Sequence, residues 1–124
     1  MKTIDVVCGF IKHKGKILIT QRGDKNYYGK WEFPGGKVKE GEKIFSSIKR
    51  EIREELDLSV KPIKKINNYT FKKFNLIFIE CSCSNPNTIK LNEHIKYLWL
   101  KPNKLKSMDF LEGDQRFISE LFLK

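Results

Sequence analysis

Three glutamates in the first half of the sequence are spaced so that one helix would carry them on a single face. Glu51, Glu54 and Glu55 stand at positions i, i+3 and i+4, an interval that places side chains about 5–6 Å apart at Cβ. Their negative charges repel one another at that distance. Mg²⁺ or Mn²⁺ binds carboxylate oxygens and shares its remaining coordination with phosphates, so the spacing suits a metal site that acts on a phosphorylated substrate.

A second interpretation of the same residues needs no metal. Arg50 lies four residues before Glu54, and Lys49 and Arg53 are close enough to dilute the local negative charge. Glutamates interleaved with basic residues are typical of a solvent-exposed helix face with salt bridges. The helix by itself leaves both interpretations open.

The helix that carries the glutamates has a clear apolar stripe. The stripe consists of residues at three- and four-residue steps, namely Phe45, Ile48, Ile52 and Leu56. This is the period of an amphipathic helix, which we predict from about Lys43 to Leu56. The stripe would pack on a sheet and hold the acidic face beside the core.

The segments around this helix predict a sheet. Two β-rich runs, IDVVCGFIKH and KILITQR, are separated by Lys14-Gly15, which indicates a hairpin. Pro34-Gly35-Gly36 predicts a tight turn before the helix, where glycine lets the backbone approach a ligand or metal closely. Downstream, LSVKPIKKINNYTFKKFNLIFIECSCS indicates two strands with a turn near Asn67 or Lys72-Lys73, and IKYLWLKP indicates one more.

The last predicted element is a second helix within GDQRFISELFLK. Its residues at helical spacing are Phe117, Ile118, Leu121 and Phe122. Asp114 is able to cap its start. Strands and helices therefore alternate, and the predicted fold class is α/β or α+β, with a mixed sheet flanked by the two helices.

Length and composition limit the classes of protein to consider. The 124 residues suit one compact domain over residues 1–124. No stretch approaches the roughly 20 apolar residues that cross a bilayer, and the N-terminus, MKTIDVVCGFIKHKGK, is typical of a first strand rather than a signal peptide. We therefore expect a cytoplasmic protein without a membrane partner.

Cysteine and charge content exclude or favour further classes. Cys8, Cys81 and Cys83 form an odd set without a CxxC pair, which argues against a disulfide framework or a zinc site and for cysteines buried in strands. The excess of 25 Lys and Arg over 15 Asp and Glu would attract nucleic acid or a phosphorylated small molecule. A lysine-rich bias spread over a solvated surface explains it equally well.

Other catalytic patterns fail on inspection. The stretch from Gly23 to Gly29-Lys30 has one residue too many for a P-loop, and Trp31 stands where Ser or Thr would bind Mg²⁺. The two histidines, His13 and His94, form no partnered pattern with a Ser or Cys nucleophile.

The spacing around the acidic helix resembles the Nudix box, written G-x5-E-x7-R-E-U-x-E-E-x-G-U with U aliphatic. The matching residues are Gly36, Glu42, Arg50, Glu51, Ile52, Glu54, Glu55 and Leu58. One fixed position departs, because Asp57 stands where the family has glycine. That glycine resembles a left-handed residue ending a helix, and Asp tolerates the same conformation. The segments WEFPGGKV and EGDQRFISEL also resemble the MutT-type branch, so the resemblance covers nearly the whole chain.

This resemblance implies an α/β/α sandwich and a metal-dependent hydrolase. MutT-type Nudix enzymes split a nucleoside triphosphate into the monophosphate and pyrophosphate by attack of water on phosphorus. Carried over by residue, Glu51, Glu54, Glu55 and the carbonyl of Gly36 would bind Mg²⁺ or Mn²⁺. Arg50 would orient a neighbouring glutamate and Glu42 would support the site from the helix start. Glu93, six residues before Trp99, would be a further ligand or the general base.

Substrate contacts follow less directly. Arg22 and Lys37 would either place positive charge at the phosphates or be ordinary surface cations. Asp114 stands where MutT-type enzymes carry an Asn or Asp that reads the base, and the remaining predicted pocket residues are Glu32, Phe71 and Phe74. An ionised Asp reads an amino-bearing base edge and a protonated one reads a carbonyl-bearing edge.

The sequence therefore favours a nucleoside triphosphate pyrophosphohydrolase, with removal of 8-oxo-dGTP as the role typical of the family. Hydrolysis of CTP, dCTP or a methylated cytosine nucleotide is the alternative. A different class would be a non-catalytic, basic nucleic-acid-binding or regulatory protein with the same fold. The expected partner is the nucleotide, with no obligatory nucleic acid, and the chain is expected to be a monomer or homodimer.

Overall fold

The computed structural model describes residues 2–122 and contains a seven-stranded mixed sheet. The strands are β1 (Ile4–His13), β2 (Lys16–Arg22), β3 (Trp31–Glu32), β4 (Gly35–Lys37), β5 (Lys61–Phe71), β6 (Phe74–Ser82) and β7 (His94–Leu100). The helices are α1 (Ile44–Leu56) and α2 (Glu112–Leu121), with short 3₁₀ helices at Pro86–Thr88 and Pro102–Ser107. The last residues of the predicted second helix, Leu123 and Lys124, lie outside the described part of the chain.

The sheet opens at its centre. Strands β1 and β2 pair only beside their connecting turn, at Lys12 with Ile17 and at His13 with Lys16. Further along, β4 pairs with β1 and β3 pairs with β2, while β6 lies parallel to β1 on its other edge. The carbonyl of Pro34, between β3 and β4, accepts a hydrogen bond of 2.7 Å from the N–H of Gly9. Because β1 and β2 separate beyond their turn, the segment that contains β3 and β4 lies between them.

Alternation along the strands separates the core into two layers. Val7 and Ile11 of β1 pack with Ile48 and Ile52 of α1 on one face. Phe10, pointing the other way, packs with Phe117 of α2 on the opposite face. Successive residues of a strand face opposite sides, so each helix covers one side of the sheet. The predicted mixed α/β fold with two flanking helices is confirmed.

Helix α1 matches its prediction at the C-terminus and departs from it at the N-terminus. It ends at Leu56, and Asp57 adopts the left-handed conformation expected for the family's glycine, with φ 53° and ψ 34°. The expected burial of Phe45 is wrong, since this side chain is 38% exposed. Ile44 takes the row that continues to Ile48 and packs on the core instead. Each helical step turns the chain by about 100°, which directs Phe45 toward solvent.

The turn expected at Gly35-Gly36 is also wrong, because both residues belong to the extended strand β4, paired with β1. Glycine is required at these two positions because other groups of the protein lie very close to their Cα atoms. A Cβ at Gly35 would collide with the carbonyl of Val7, and one at Gly36 would collide with the carboxylate of Glu51.

The remaining turns and the cysteines follow the sequence closely. The hairpin at Lys14-Gly15 is confirmed. Of the two places considered for the second turn, Lys72-Lys73 is correct, and Lys72 has a positive φ of 55°. At Asn67 the strand continues through a shift of register. All three cysteines are buried and free. Within residues 2–122, no helix has both the length and the apolar character to span a bilayer.

Candidate active site

A cleft of about 880 Å³ lies where the sheet opens. Nine residues predicted from the sequence line it, namely Arg22, Glu32, Gly36, Lys37, Glu55, Phe71, Phe74, Glu93 and Asp114. The predicted residues Arg50, Glu51 and Glu54 lie on α1 and are absent from this lining. The acidic helix therefore contributes to the wall of the cleft through Glu55.

Arg50 organises the acidic face of α1. Its guanidinium donates to both carboxylate oxygens of Glu42, at 2.7 and 2.9 Å. It also donates to Glu51 at 2.9 Å, to Glu54 at 3.1 Å and to the carbonyl of Lys37 at 3.1 Å. Such a fork of donors holds several oxygens in a fixed geometry. One side chain thus joins the loop before the helix, strand β4 and two of the three clustered glutamates.

Glu51 packs directly against strand β4. Its carboxylate fills the space that a side chain at Gly36 would occupy. The missing Cβ therefore brings a backbone segment of the cleft into contact with a carboxylate of α1. Backbone and carboxylate oxygens are the donors that hard divalent cations prefer.

Glu55 is the deeply buried member of the cluster. Its side chain is 7% exposed, and its Oε1 has no hydrogen-bond partner among the described residues. Burial, followed by the negative charges of Glu32, Glu93 and Glu51, raises the pKa of Glu55 from 4.5 to about 10. A buried oxygen without a hydrogen-bond partner lowers the stability of the fold. Binding of a proton or a cation at this oxygen would remove that cost.

The glutamates as placed do not themselves form a ready coordination sphere. Across residues 2–122, no group of three or more His, Cys, Asp or Glu side chains has a geometry suited to holding a metal ion. Glu51 and Glu54 point to Arg50 instead. The chemistry of the donor set still fits a hard cation, because the Glu55 oxygen is buried and unpaired and carboxylates surround it.

A loop before β7 carries Glu93 to the same wall. The backbone N–H of Lys90 donates to the carbonyl of Leu56 at 2.8 Å, and that of Asn92 donates to the carbonyl of Glu55 at 3.0 Å. The side-chain amide of Asn92 also donates to the carbonyl of Glu54 at 2.8 Å. The loop therefore satisfies carbonyls left open at the end of α1 and places exposed Glu93 beside the buried Glu55.

Glu32 is another neighbour of Glu55, and both of its carboxylate oxygens have partners. Arg22 donates to its Oε1 at 3.2 Å, and Nε2 of His94 lies 2.7 Å from its Oε2. Arg22 also donates to Asp24 at 2.7 and 3.2 Å, which raises the pKa of the guanidinium further. As placed, Arg22 is held at the cleft by two carboxylates.

Asp114 lies in the first turn of α2 and does not cap it. The helix starts at Glu112 after Leu111, so the expected cap is wrong by three residues, and Asp114 is turned inward and 5% exposed. Its carboxylate accepts a hydrogen bond of 3.3 Å from the backbone N–H of Phe33. Burial and the charge of Glu32 raise its pKa well above the ordinary value, and the Phe33 N–H opposes that shift.

The two aromatic candidates form part of the cleft. Phe71 and Phe74 flank the Lys72-Lys73 turn, are half-buried and line the cleft. Their position gives the cleft apolar surface near Asp114. Lys37 is exposed at the same cleft.

Sequence reasoning missed two residues that build the site. His94 was considered only as a nucleophile's partner, and Asn92 was not considered. Both lie beside Glu93 in the segment NEH. A cluster of polar residues just before a predicted strand was the available signal, but their partners on α1 and β3 are distant in sequence.

The Glu42–Arg50 pair predicts a pH-dependent contribution to stability. Hydrogen bonding by Arg50, and then by the N–H of Lys39, lowers the pKa of Glu42 from 4.5 to about 2. A depressed folded pKa stabilises the protein above pH 4.5, and this stabilisation is lost as the pH falls toward 2. We expect the melting temperature of wild type to fall more steeply over pH 4.5–2 than that of Glu42→Gln. Parallel curves would contradict the pairing, and Glu40→Gln, at an exposed position, serves as the control.

Comparison with known proteins shows which family this fold belongs to. The NUDIX domain family model matches residues 1–121. A protein named 8-oxo-dGTP diphosphatase from Buchnera aphidicola is 36% identical, over 98% of this chain and 95% of its own length. Nucleoside triphosphatase NudI of Escherichia coli is 29% identical, over 88% and 89% respectively. The solution structure of the E. coli ORF135 protein has a TM-score of 0.82 at 26% identity, covering 98% of this chain and 89% of that one.

Proposed function

This chain belongs to the NUDIX domain family and is a Nudix hydrolase, and on that premise we propose that it is a Mg²⁺- or Mn²⁺-dependent nucleoside triphosphate pyrophosphohydrolase. The reaction would convert a nucleoside triphosphate and water into the monophosphate and pyrophosphate, with 8-oxo-dGTP as the preferred substrate. The observation that carries the proposal is the buried, unpaired oxygen of Glu55 in a carboxylate cluster at the wall of a cleft of nucleotide size.

The residues that would hold the metal are Glu51, Glu54, Glu55, Glu93 and the carbonyl of Gly36. When bound, a divalent cation would neutralise phosphate charge and acidify a water molecule. Two features support this assignment: the Glu55 Oε1 atom has no hydrogen-bond partner within residues 2–122 and is available to a cation, and Gly36 keeps the backbone of β4 against Glu51.

Basic side chains would complete the phosphate site. Lys37 lines the cleft beside Gly36 and is exposed, so its ammonium is free to approach a phosphate. Arg50 would hold the carboxylates of Glu51 and Glu54 in a fixed orientation through its hydrogen bonds. Glu93, exposed and adjacent to the cluster, would accept a proton from the attacking water if it serves as the general base.

Recognition of the base is assigned to the other end of the cleft. Asp114 is buried there, close to Glu32 and to the half-buried rings of Phe71 and Phe74. Its raised pKa favours a neutral carboxyl, which donates a hydrogen bond and complements a carbonyl-bearing base edge. The six-membered ring of 8-oxoguanine carries such a carbonyl. Cytosine also carries a carbonyl, at C2, so the choice of an oxidised guanine nucleotide is supported instead by the similarity to the 8-oxo-dGTP diphosphatase of Buchnera aphidicola.

Asp114→Ala is expected to reduce selectivity between bases more than it reduces phosphate chemistry. Loss of a hydrogen bond in a buried site costs about 1–3 kcal/mol, so the ratio of kcat/KM for the preferred and poorest triphosphates should fall about 5- to 160-fold. The measurement is pyrophosphate release from both nucleotides, with Asp114→Asn retaining a side chain of the same shape. Equal losses for every nucleotide would assign Asp114 to folding instead.

A panel of nucleotides tests the preferred substrate. Initial rates of pyrophosphate release with Mg²⁺ would compare 8-oxo-dGTP, dGTP, CTP, dCTP and 5-methyl-dCTP, with ADP-ribose and a dinucleoside polyphosphate as outgroups. The highest kcat/KM is expected for 8-oxo-dGTP. A preference for a cytosine nucleotide would overturn the substrate assignment, and no turnover of any compound would favour a non-catalytic nucleotide or nucleic-acid binder.

A further inference from the structure

His94 lies between the two ends of the candidate site. Its side chain is 5% exposed. Nε2 lies 2.7 Å from Oε2 of Glu32 and 4.0 Å from Oε1 of Glu55. A carboxylate only accepts hydrogen bonds, so the short contact places a proton on Nε2. The imidazole therefore contacts a carboxylate of the cleft through Nε2 and lies near the buried glutamate of α1 without a hydrogen bond to it.

The backbone directs this ring to its place. His94 is the first residue of β7 and pairs with Arg22 at the end of β2, where the register shifts between Gln21 and Arg22. Irregularities of this kind change the direction in which a side chain points. Arg22 and His94, which pair across neighbouring strands, therefore both contact the Glu32 carboxylate. Arg22 donates to Oε1, and His94 contacts Oε2.

A role in packing alone does not explain the ring. Nδ1 of His94 is buried and has no hydrogen-bond partner among the described residues, which carries a cost that an apolar side chain of similar size would avoid. The other histidine, His13, lies elsewhere, with its Nδ1 2.6 Å from the carbonyl of Cys83. What His94 adds at its own position is the strong contact with Glu32.

We propose that His94 is a positioning residue for selection of the nucleobase: its Nε2–H holds the Glu32 carboxylate in one orientation in the cleft, next to Asp114. The spatial relation is direct, because Glu32 precedes Phe33, whose N–H donates to Asp114. The proposal rests on the proposed function, since it assigns Glu32 and Asp114 to the base. His94 acts through Glu32 and does not itself contact the nucleotide.

The first test examines the contact without any nucleotide. Ring nitrogens of the two histidines would be observed by ¹H–¹⁵N NMR at one fixed pH, and His13→Gln would assign the signals. Glu32→Gln is expected to shift the His94 resonances and to leave those of His13 unchanged. Unshifted His94 resonances would overturn the proposal.

The second test examines selectivity without catalysis. Calorimetry without metal would give Kd for 8-oxo-dGMP, dGMP and dCMP. The ratio of the weakest to the tightest Kd is expected to fall about tenfold or more in His94→Leu, the value expected for losing a hydrogen bond to a charged group. His94→Gln, whose amide can donate from nearly the same place, should retain most of the ratio. A structural role would instead make both variants equally poor, or leave both at the wild-type ratio, and either result would overturn the proposal.

The two proposals fail in distinguishable ways. Selective binding of a monophosphate without hydrolysis of any triphosphate would reject the proposed reaction and leave the role of His94 standing. Hydrolysis of triphosphates with an unchanged ratio in His94→Leu would reject the role of His94 alone. Failure of wild type to discriminate among the monophosphates would overturn the role of His94 as well.

Discussion

Glu54→Gln is expected to lower metal-dependent pyrophosphate release by about 10²- to 10³-fold, since a catalytic metal supplies several kcal/mol of charge stabilisation. The substitution removes one negative charge and preserves the shape of the side chain. The fold should persist, because the Glu54 side chain is 50% exposed and its ion pair within residues 2–122 is the contact with Arg50. Exposed pairs contribute up to about 1 kcal/mol to stability.

A matched control is available on the other helix. Glu120 forms an i,i+4 pair with Arg116 and is 42% exposed at its side chain, so Glu120→Gln makes the same chemical change in a similar setting. It should leave the rate unchanged. Wild-type activity in Glu54→Gln, or an equal loss in Glu120→Gln, would contradict the assignment of Glu54 to the metal.

Arg50→Met is the second substitution with a large expected effect. It removes the donors that hold Glu42, Glu51 and Glu54 together, leaving clustered carboxylates to repel one another. Losing a residue that orients metal ligands typically costs about 10- to 100-fold in affinity or activity, and we expect a loss of that size in kcat/KM. The melting temperature should fall as well. Measurements of rate and of thermal unfolding check both effects.

Arg53 provides the control for this substitution. It lies one turn of α1 further on and is exposed, so Arg53→Met also removes one positive charge from the same helix. It should affect rate and melting temperature far less. Arg50→Lys should remain impaired, because a single ammonium cannot reproduce the fork. Equal behaviour of the Arg50 and Arg53 variants would show that the network has no special role.

The acidic helix was largely predictable because its information is local. Periodicity gave the extent of α1 to within one residue, and the left-handed Asp57 followed from the family pattern. The error at Phe45 arose because a three-residue and a four-residue step were both compatible with the stripe. Packing against the core determines that Ile44, rather than Phe45, begins the apolar stripe.

Features that depend on contacts between residues far apart in the sequence were not predictable from the sequence alone. The glycines of β4 were interpreted as a turn, since nothing local shows that the carbonyl of Val7 and the carboxylate of Glu51 occupy the space beside them. Asp114 was expected to cap its helix because the pattern does not reveal that Phe33, 81 residues away, supplies its partner. The contact of His94 with Glu32 spans 62 residues and likewise depends on the strand pairing.

Metal-dependent formation of pyrophosphate is the most direct test of whether the acidic helix serves hydrolysis of a nucleoside triphosphate. Wild-type protein freed of metal by chelation would be incubated with 8-oxo-dGTP, with and without added Mg²⁺, and both products quantified. We predict equal amounts of monophosphate and pyrophosphate in the presence of Mg²⁺ and negligible product in its absence. Orthophosphate as the product, or the same rate with and without the metal, would contradict the proposed chemistry.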